Sequence, residues 1–199
     1  MSLVERAKNI LMQPKQEWQV IDTEPETVGG LYTKYIIPLA AIGPIASLIG
    51  WSVFGLKVPF VGTTIRLPIG TLIGRTVLNY VLSLVVVYVI ALIINALAPT
   101  FGGTKSDIQA LKVAAYSSTA SWVAGIFGLI PALSWLSILG LYGLYLLYTG
   151  LPVLMKSPAE KAFGYTAVVV IAAIVCFVVV GMIVASVFSI GAMGMGRMP

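Results

Sequence analysis

The run Val168-Val169-Val170-Ile171-Ala172-Ala173-Ile174-Val175-Cys176-Phe177-Val178-Val179-Val180 decides the fold. It carries no charge, and its side chains show no alternation of polar and apolar types. It sits in an uncharged gap of 35 residues between Lys161 and Arg197, whereas a helix needs only roughly 20 apolar residues to cross a hydrocarbon layer about 30 Å thick. Valine and isoleucine favour strands in water. In lipid that preference is overridden, because an unpaired backbone amide costs several kcal/mol and only helices or closed barrels satisfy every one. Barrel strands alternate in polarity, so the run reads as a membrane-spanning helix.

The same ruler applies along the chain. Uncharged gaps of 22 residues (Lys34 to Lys57), 29 (Arg75 to Lys105) and 43 (Lys112 to Lys156) precede the last one. The 43-residue gap is twice too long for one crossing, and Gly128-Leu129-Ile130-Pro131 within it marks a hairpin, since proline lacks a donor and disfavours helix in the residue before it. The reading is an all-α polytopic bundle with five spans near 35–55, 71–97, 110–129, 132–151 and 164–190, which puts the termini on opposite sides. Lys and Arg then set the orientation. With the N-terminus inside, Arg6, Lys8, Lys15, Lys34, Lys105, Lys112, Lys156 and Lys161 are cytoplasmic, against Lys57, Arg66, Arg75 and Arg197 outside.

Composition agrees with this class and narrows function. The 199 residues are 59% hydrophobic and 10% charged, with a mean hydropathy of +1.01, where a water-soluble surface needs about a quarter charged residues. There is no histidine and one cysteine, Cys176, which removes imidazole base catalysis, His-ligated zinc and any intrachain disulfide. No cofactor is expected. The net charge of +5 comes from scattered residues without a basic run, so it reads as membrane topology and not as a nucleic-acid surface.

Residues 1–33 form a cytoplasmic segment without the apolar core of a secretory signal. Ser2 and Glu5 match a capping box, and Leu3, Ala7, Ile10 and Leu11 share a helical face opposite Glu5, Lys8 and Asn9. Pro14 suits the first turn of a second helix carrying Trp18 and Ile21, with Trp18 as an interfacial anchor. The segment either lies on lipid headgroups or caps the bundle; alternatively Glu17, Asp22, Glu24 and Glu26 form an acidic face for a basic partner. The loop 56–70 has the alternation of a short hairpin. The Gly102-Gly103 pair lacks the lysine-serine ending of a phosphate loop and reads as a turn, and 191–199, rich in Gly and Met, reads as a flexible tail.

Polar groups at membrane depth are costly and are candidates for function. They are Arg75, Asn79, Tyr80 and Asn95 on the second span, Tyr116, Ser117, Ser118, Thr119 and Ser121 on the third, and Tyr142, Tyr145, Tyr148 and Thr149 on the fourth. They line a pathway, or they hold helices together through hydrogen bonds worth about 0.6 kcal/mol per pair and snorkel to the interface. Small residues four apart give close-packing seams: Gly43 and Ser47, Ala46 and Gly50, and Gly181, Ala185 and Ser189. Pro38 and Pro44 should bend the first span, and Pro152 should end or kink the fourth.

Several stretches carry a family resemblance over nearly the whole chain. They are Val4-Glu5-Arg6-Ala7-Lys8-Asn9-Ile10-Leu11, Pro14-Lys15 with Glu17-Trp18, Tyr35-Ile36-Ile37-Pro38-Leu39, Ile94-Asn95-Ala96-Leu97-Ala98-Pro99 with Phe101-Gly102-Gly103, and Ala115-Tyr116-Ser117-Ser118-Thr119. The most specific is Gly140-Leu141-Tyr142-Gly143-Leu144-Tyr145-Leu146-Leu147-Tyr148-Thr149-Gly150-Leu151-Pro152, followed by Met155-Lys156. The sequence resembles the Yip family, the Ypt-interacting five-pass membrane proteins, in its short bacterial branch. The resemblance implies five spans, a cytoplasmic N-terminus and a bacterial inner membrane. Eukaryotic members sit in Golgi and ER membranes, associate with one another and contact prenylated Rab-type GTPases. This chain lacks their long N-terminal region, which puts GTPase binding in doubt, and the family supplies no catalytic residue to transfer.

Two functions follow from the residues. The leading one is a non-enzymatic integral membrane protein that organises membrane or protein partners, with membrane lipid and a second copy or another membrane protein as partners. The alternative is a channel or transporter for a small solute, ion or lipid through a polar path between helices. An intramembrane serine enzyme would need a base that only peripheral lysines offer.

Overall fold

The chain begins as its capping residues dictate. Ser2 Oγ accepts from the Glu5 amide at 3.2 Å while the Glu5 carboxylate accepts from the Ser2 amide at 2.9 Å, closing the capping box of α1 (Leu3–Met12). Proline at its first position opens α2 (Pro14–Thr23). The computed structural model describes residues 1–57, 64–65 and 68–195, with backbone alone at 56–57, 64–65 and 189–195.

The helical run α3 (Val28–Phe54) contains a π turn at Tyr32–Ile36 and a break at Ala41, beside Pro38 and between it and Pro44, where bending was expected. A two-residue antiparallel ladder, Leu56 opposite Ile65 and Lys57 opposite Thr64, forms the expected hairpin; its remaining residues at 58–63 and 66–67 lie outside the described ones. Helix α4 (Ile69–Leu97) tightens into a 3-10 turn at Ala98–Phe101. Gly102 then adopts φ 74°, and the Gly103 amide returns to the Ala98 carbonyl at 2.8 Å, a left-handed stop that glycine permits. The glycine pair is a turn, as its sequence indicated.

Next come α5 (Asp107–Ser117), α6 (Thr119–Ala124) and a 3-10 stretch, Gly125–Leu129. The chain reverses at Ile130-Pro131 into a second 3-10 stretch, Pro131–Leu141, which passes into α7 (Tyr142–Leu154). Pro152 lies in the last turn of α7. Finally α8 (Ala162–Met195) closes the bundle. Its helix continues five residues past Ile190 into the stretch expected to be a tail, and 196–199 lie outside the described residues.

Among the described residues, four runs are long and apolar enough to cross a membrane: Val28–Phe54, Ile69–Phe101, Pro131–Leu154 and Ala159–Phe188. The expected fifth span, 110–129, is helical but is not among them. Lys112, Tyr116 and a cluster of hydroxyls make it too polar on composition alone. It instead fills the centre of the bundle, where every residue from Ala110 to Ser117 is buried. The fourth expected span is half 3-10 instead of wholly α. A rise of about 2.0 Å per residue against about 1.5 Å lets its apolar stretch reach further for the same length.

The registers are clear from contacts. Tyr35 meets Thr119, Gly43 meets Gly125 and Gly50 meets Gly128, so α3 runs parallel to 107–129. Ser121 meets Gly140, and Ser117 meets Gly143, so 131–154 runs antiparallel to it. Gly74 meets Phe188, and Ile94 meets Tyr165, pairing α4 antiparallel with α8. The buried core concentrates at one end, on Ile10, Trp18, Ile21, Ile36, Ile94, Leu111, Leu146, Leu151 and Tyr165. At the other end the large apolar residues Ile49, Val53, Ile73, Val77, Ile138 and Val178 point outward, as lipid-facing surfaces do.

Gly43, Ser47 and Gly50 therefore form a seam within the chain. A Cβ on Gly50 would lie 2.4 Å from the Gly128 carbonyl oxygen, a backbone atom that cannot swing away, while one on Gly181 meets nothing within 4 Å. Gly50→Ala should cost roughly 1–3 kcal/mol through overpacking, read as earlier thermal unfolding in detergent, and Gly181→Ala should leave the transition unchanged.

Candidate functional site

The densest polar chemistry lies where α1 and α2 dock on the bundle. Arg6 is 6% exposed. Its guanidinium bonds the carboxylates of Glu17 and Glu24 and lies 5.9 Å from the centroid of the Tyr116 ring, close enough for a cation–π contact. Burial by itself would favour losing the proton; the hydrogen bond to Glu24 and the neighbouring negative charges outweigh it and hold Arg6 above its ordinary pKa.

Lys112, on the central helix and 3% exposed, donates its ammonium to the backbone carbonyls of Ile21 at 2.8 Å and Glu24 at 2.6 Å. These are carbonyls at the end of α2, where the helix leaves acceptors unpaired and the dipole favours a cation. Asp22 completes the junction by pairing with Lys156 and accepting from Gln109 Nε2 at 3.2 Å.

Trp18 is wholly buried and is not an interfacial anchor, which corrects the sequence reading. Its indole N–H donates to Thr149 Oγ1 at 3.2 Å, and its ring occupies a slot over Gly150, where a Cβ would sit 2.6 Å from the six-membered ring. An interhelical hydrogen bond is worth about 0.6 kcal/mol, whereas truncating a buried tryptophan costs roughly 3–5 kcal/mol, so ring burial dominates. An amphipathic pattern shows that Trp18 faces something apolar without distinguishing lipid from a glycine notch.

The carboxylates read as an acidic face are engaged to different degrees within the chain: Glu17 is buried against Arg6, Glu24 gives Arg6 one oxygen while 42% exposed, Asp22 pairs with Lys156 and Gln109, and Glu26 Oε1 accepts from the adjacent Thr27 amide at 3.0 Å. The segment caps the bundle.

The expected polar cluster does not converge as one path. Arg75 and Asn79 are exposed on α4. Tyr80 donates to the Ile37 carbonyl at 2.8 Å, tying α4 to α3. Asn95 accepts from the Ser106 amide at 2.8 Å and donates to Asp107, fastening the α4–α5 turn. On the central helix Ser117 and Ser118 bond the carbonyls of Val113 and Ala114 one turn back, at 2.6 and 2.7 Å, and Thr119 shares a 2.8 Å bond with the Tyr35 hydroxyl. The Tyr116 ring lies tilted by 57° against that of Tyr35, with centroids 4.5 Å apart.

On α7, Tyr142 donates to the Leu11 carbonyl at 3.1 Å. Tyr145 and Tyr148 stay about 40% exposed, and Thr149 bonds the Tyr145 carbonyl at 2.9 Å. The tyrosines of α7 are each 38–42% exposed, whereas Tyr116, Ser117 and Thr119 of the central helix are buried. Gly181 and Ala185 lie on the outer face of α8, and the Ser189 side chain is outside the described residues.

Sequence reasoning missed Arg6, Gln109 and Lys112 as structural keys. The signal for Lys112 was present: it fell inside a proposed span, and an ionisable residue at such a position demands a partner.

Helical runs of membrane-crossing length closed at one end by a docked, ion-paired hairpin define a polytopic integral membrane protein. A model of the Yip1 domain matches residues 8–193, and the chain belongs to that family. It is 30% identical over 122 residues to the inner membrane protein YohC of Escherichia coli K12, and equally to YohC of the O6:H1 strain CFT073. These alignments cover 61% of this chain and 62% of the relatives, so the chain matches under two thirds of their length. No solved structure matches.

Removing Arg6 leaves Glu17 charged and buried, which costs roughly 3–5 kcal/mol. Arg6→Ala should release the cap, read as cleavage of residues 1–30 by added protease at a concentration that spares the parent chain; Lys8→Ala, on the exposed face, should not. Gly150→Leu should reproduce the release by filling the Trp18 slot.

Proposed function

We propose that this protein is a five-span organiser of the bacterial inner membrane, with a cytoplasmic N-terminus, an outward C-terminus and no catalytic role. The observation that carries the reading is the way polar side chains at membrane depth are satisfied. Tyr35 with Thr119 and Tyr80 with Ile37 tie helices together, and Ser117 and Ser118 are satisfied on their own helix, which supports a scaffold over a solute path. The fifth crossing is supported by the parallel register of 107–129 with α3 from Tyr35 to Gly50; its 23 residues rise roughly 35 Å, enough for the hydrocarbon layer. The name of the relatives supports the inner membrane.

Partners are membrane lipid and a second copy or another membrane protein. The outer face of α8, with Gly181 and Ala185 exposed beside Ile174 and Val178, supports close association between chains in lipid. The outer stripe of α1 holds Val4 and Met12, each over 70% exposed, next to Lys8. Together with exposed Tyr145 and Tyr148, this supports immersion of α1 in the headgroup layer.

In a Cys176→Ser background, single cysteines at positions 2 and 195 should label from opposite sides of the membrane, and cysteines at 181 or 185 should crosslink between chains in cells. Labelling from one side, or a chain that stays monomeric and partner-free after crosslinking, overturns the reading. So does a solute flux in vesicles that falls when Tyr116 and Tyr145 become phenylalanine.

A further inference from the structure

A cavity of about 320 Å³ lies between the start of α1, the connection from α2 and the first turns of α3. Its floor is formed by Arg6, Tyr35 and Tyr116, and its walls carry Glu24, Glu26 and Lys34. Helix α1 packs on α2 and α6, while α3 packs on α4, α5 and α6. The cavity is thus a lateral gap in the ring of helices around the central one.

Its polar groups are only partly used. The Lys34 ammonium has no hydrogen-bond or ion-pair partner among the described residues, and neither does the Tyr116 hydroxyl a hydrogen-bond partner. Glu24 gives one oxygen to Arg6 and keeps its side chain 42% exposed, and Glu26 gives one oxygen to the Thr27 amide. Arg6 and Lys34, with Met1 at the rim, line one small space together with Glu24 and Glu26; Arg6 is already paired with Glu24, which leaves the Lys34 ammonium and the Glu26 carboxylate as the opposite charges the space offers. An anion alone would meet Glu24 and Glu26, and a cation alone would meet Lys34. A zwitterion satisfies both.

We propose that this gap binds the headgroup of a zwitterionic aminophospholipid. The phosphodiester accepts from Lys34 and the Tyr116 hydroxyl, and the primary ammonium donates to Glu26 and Glu24. The volume is at the small end of ligand sites, enough for a phosphoethanolamine group whose acyl chains run outside along α3. The assignment rests on the proposed position of the cap in the headgroup layer.

The test uses the full chain, delipidated in detergent and offered equimolar phosphatidylethanolamine, phosphatidylglycerol and phosphatidylcholine of identical acyl composition, with bound lipid read by native mass spectrometry. Phosphatidylethanolamine should be retained about fivefold over either competitor, a margin near one step of hydrogen-bond energy. Lys34→Ala should lower its retention about tenfold, Glu26→Gln should erase its preference over phosphatidylglycerol, and Lys8→Ala, outside the gap, should change neither. Each variant is melted alongside the parent chain, and only those with the parent transition are compared; Lys34→Gln replaces Lys34→Ala if the latter melts early.

Equal retention of the three lipids, or unchanged selectivity in both variants, overturns the proposal. Binding of soluble phosphoethanolamine as tight as that of the lipid assigns the gap to a free phosphate ester and overturns it too. Crosslinking and labelling of the same variants are read in cells, so a failed lipid site with intact self-association and topology sinks the site alone.

Discussion

Lys112 is a charge on the innermost helix, and its place there constrains everything at that end of the molecule. A buried ammonium without partners would pay a desolvation cost of several kcal/mol. Lys112 avoids it by donating to Ile21 and Glu24 carbonyls at the end of α2. Helix α2 must therefore dock, and its docking sets the rest: Trp18 enters the Gly150 slot, Asp22 reaches Lys156 and Gln109, and Glu17 becomes buried. A buried Glu17 in turn requires a cation, which Arg6 of α1 supplies. Each ionic group is made necessary by the one before it. Since buried ion pairs add little net stability compared with apolar packing, their main effect is to fix one docking geometry, while Trp18 supplies most of the adhesion.

The architecture was legible where the lipid leaves the chain no choice. The valine-rich run, the hairpin at Pro131, the capping box at Ser2 and the glycine turn at Gly102 are each set by residues adjacent in sequence, and each is found. The segment 107–129 is a different case. Its polarity makes it a poor membrane helix by composition, and only the neighbours that bury Lys112, Tyr116 and Thr119 reveal how those residues are accommodated. Arg6 and Glu17 face the same limitation. Eleven residues separate them, no local pattern pairs them, and the acidic group around Asp22 reads as a solvated surface until the tertiary partners are in place.

The polar cluster shows why a list of intramembrane hydroxyls is a weak guide to a pathway. Serine and threonine on a helix reach a carbonyl one turn back, so Ser117, Ser118 and Thr149 are satisfied without any partner helix. Tyrosine cannot do this. Its hydroxyl extends beyond the helix surface and ends on a neighbouring backbone, as Tyr80 does at Ile37, Tyr142 at Leu11 and Tyr165 at Ile94. These bonds join different parts of the chain, at the end of α1 for Leu11, beside Pro38 for Ile37, and as a second bond on the Ile94 carbonyl that also accepts from the Ala98 amide, so the aromatic hydroxyls serve as cross-braces and the small hydroxyls as local fillers.

The match to the family domain begins at residue 8, and that boundary divides the cap into two physical parts. Glu17, Trp18, Asp22, Lys112, Gly150 and Lys156 all lie inside it, so the whole α2 dock belongs to the domain. Arg6 and the capping box lie before it. Helix α1 neutralises the charge that the docking of α2 buries and closes one side of the gap that holds Lys34, Glu24 and Glu26. Its own contacts with the spanning helices are few beside those of α2, chiefly the bond from Tyr142 and the packing on α6, so α1 is held mainly by the ion pairs that Arg6 makes with Glu17 and Glu24.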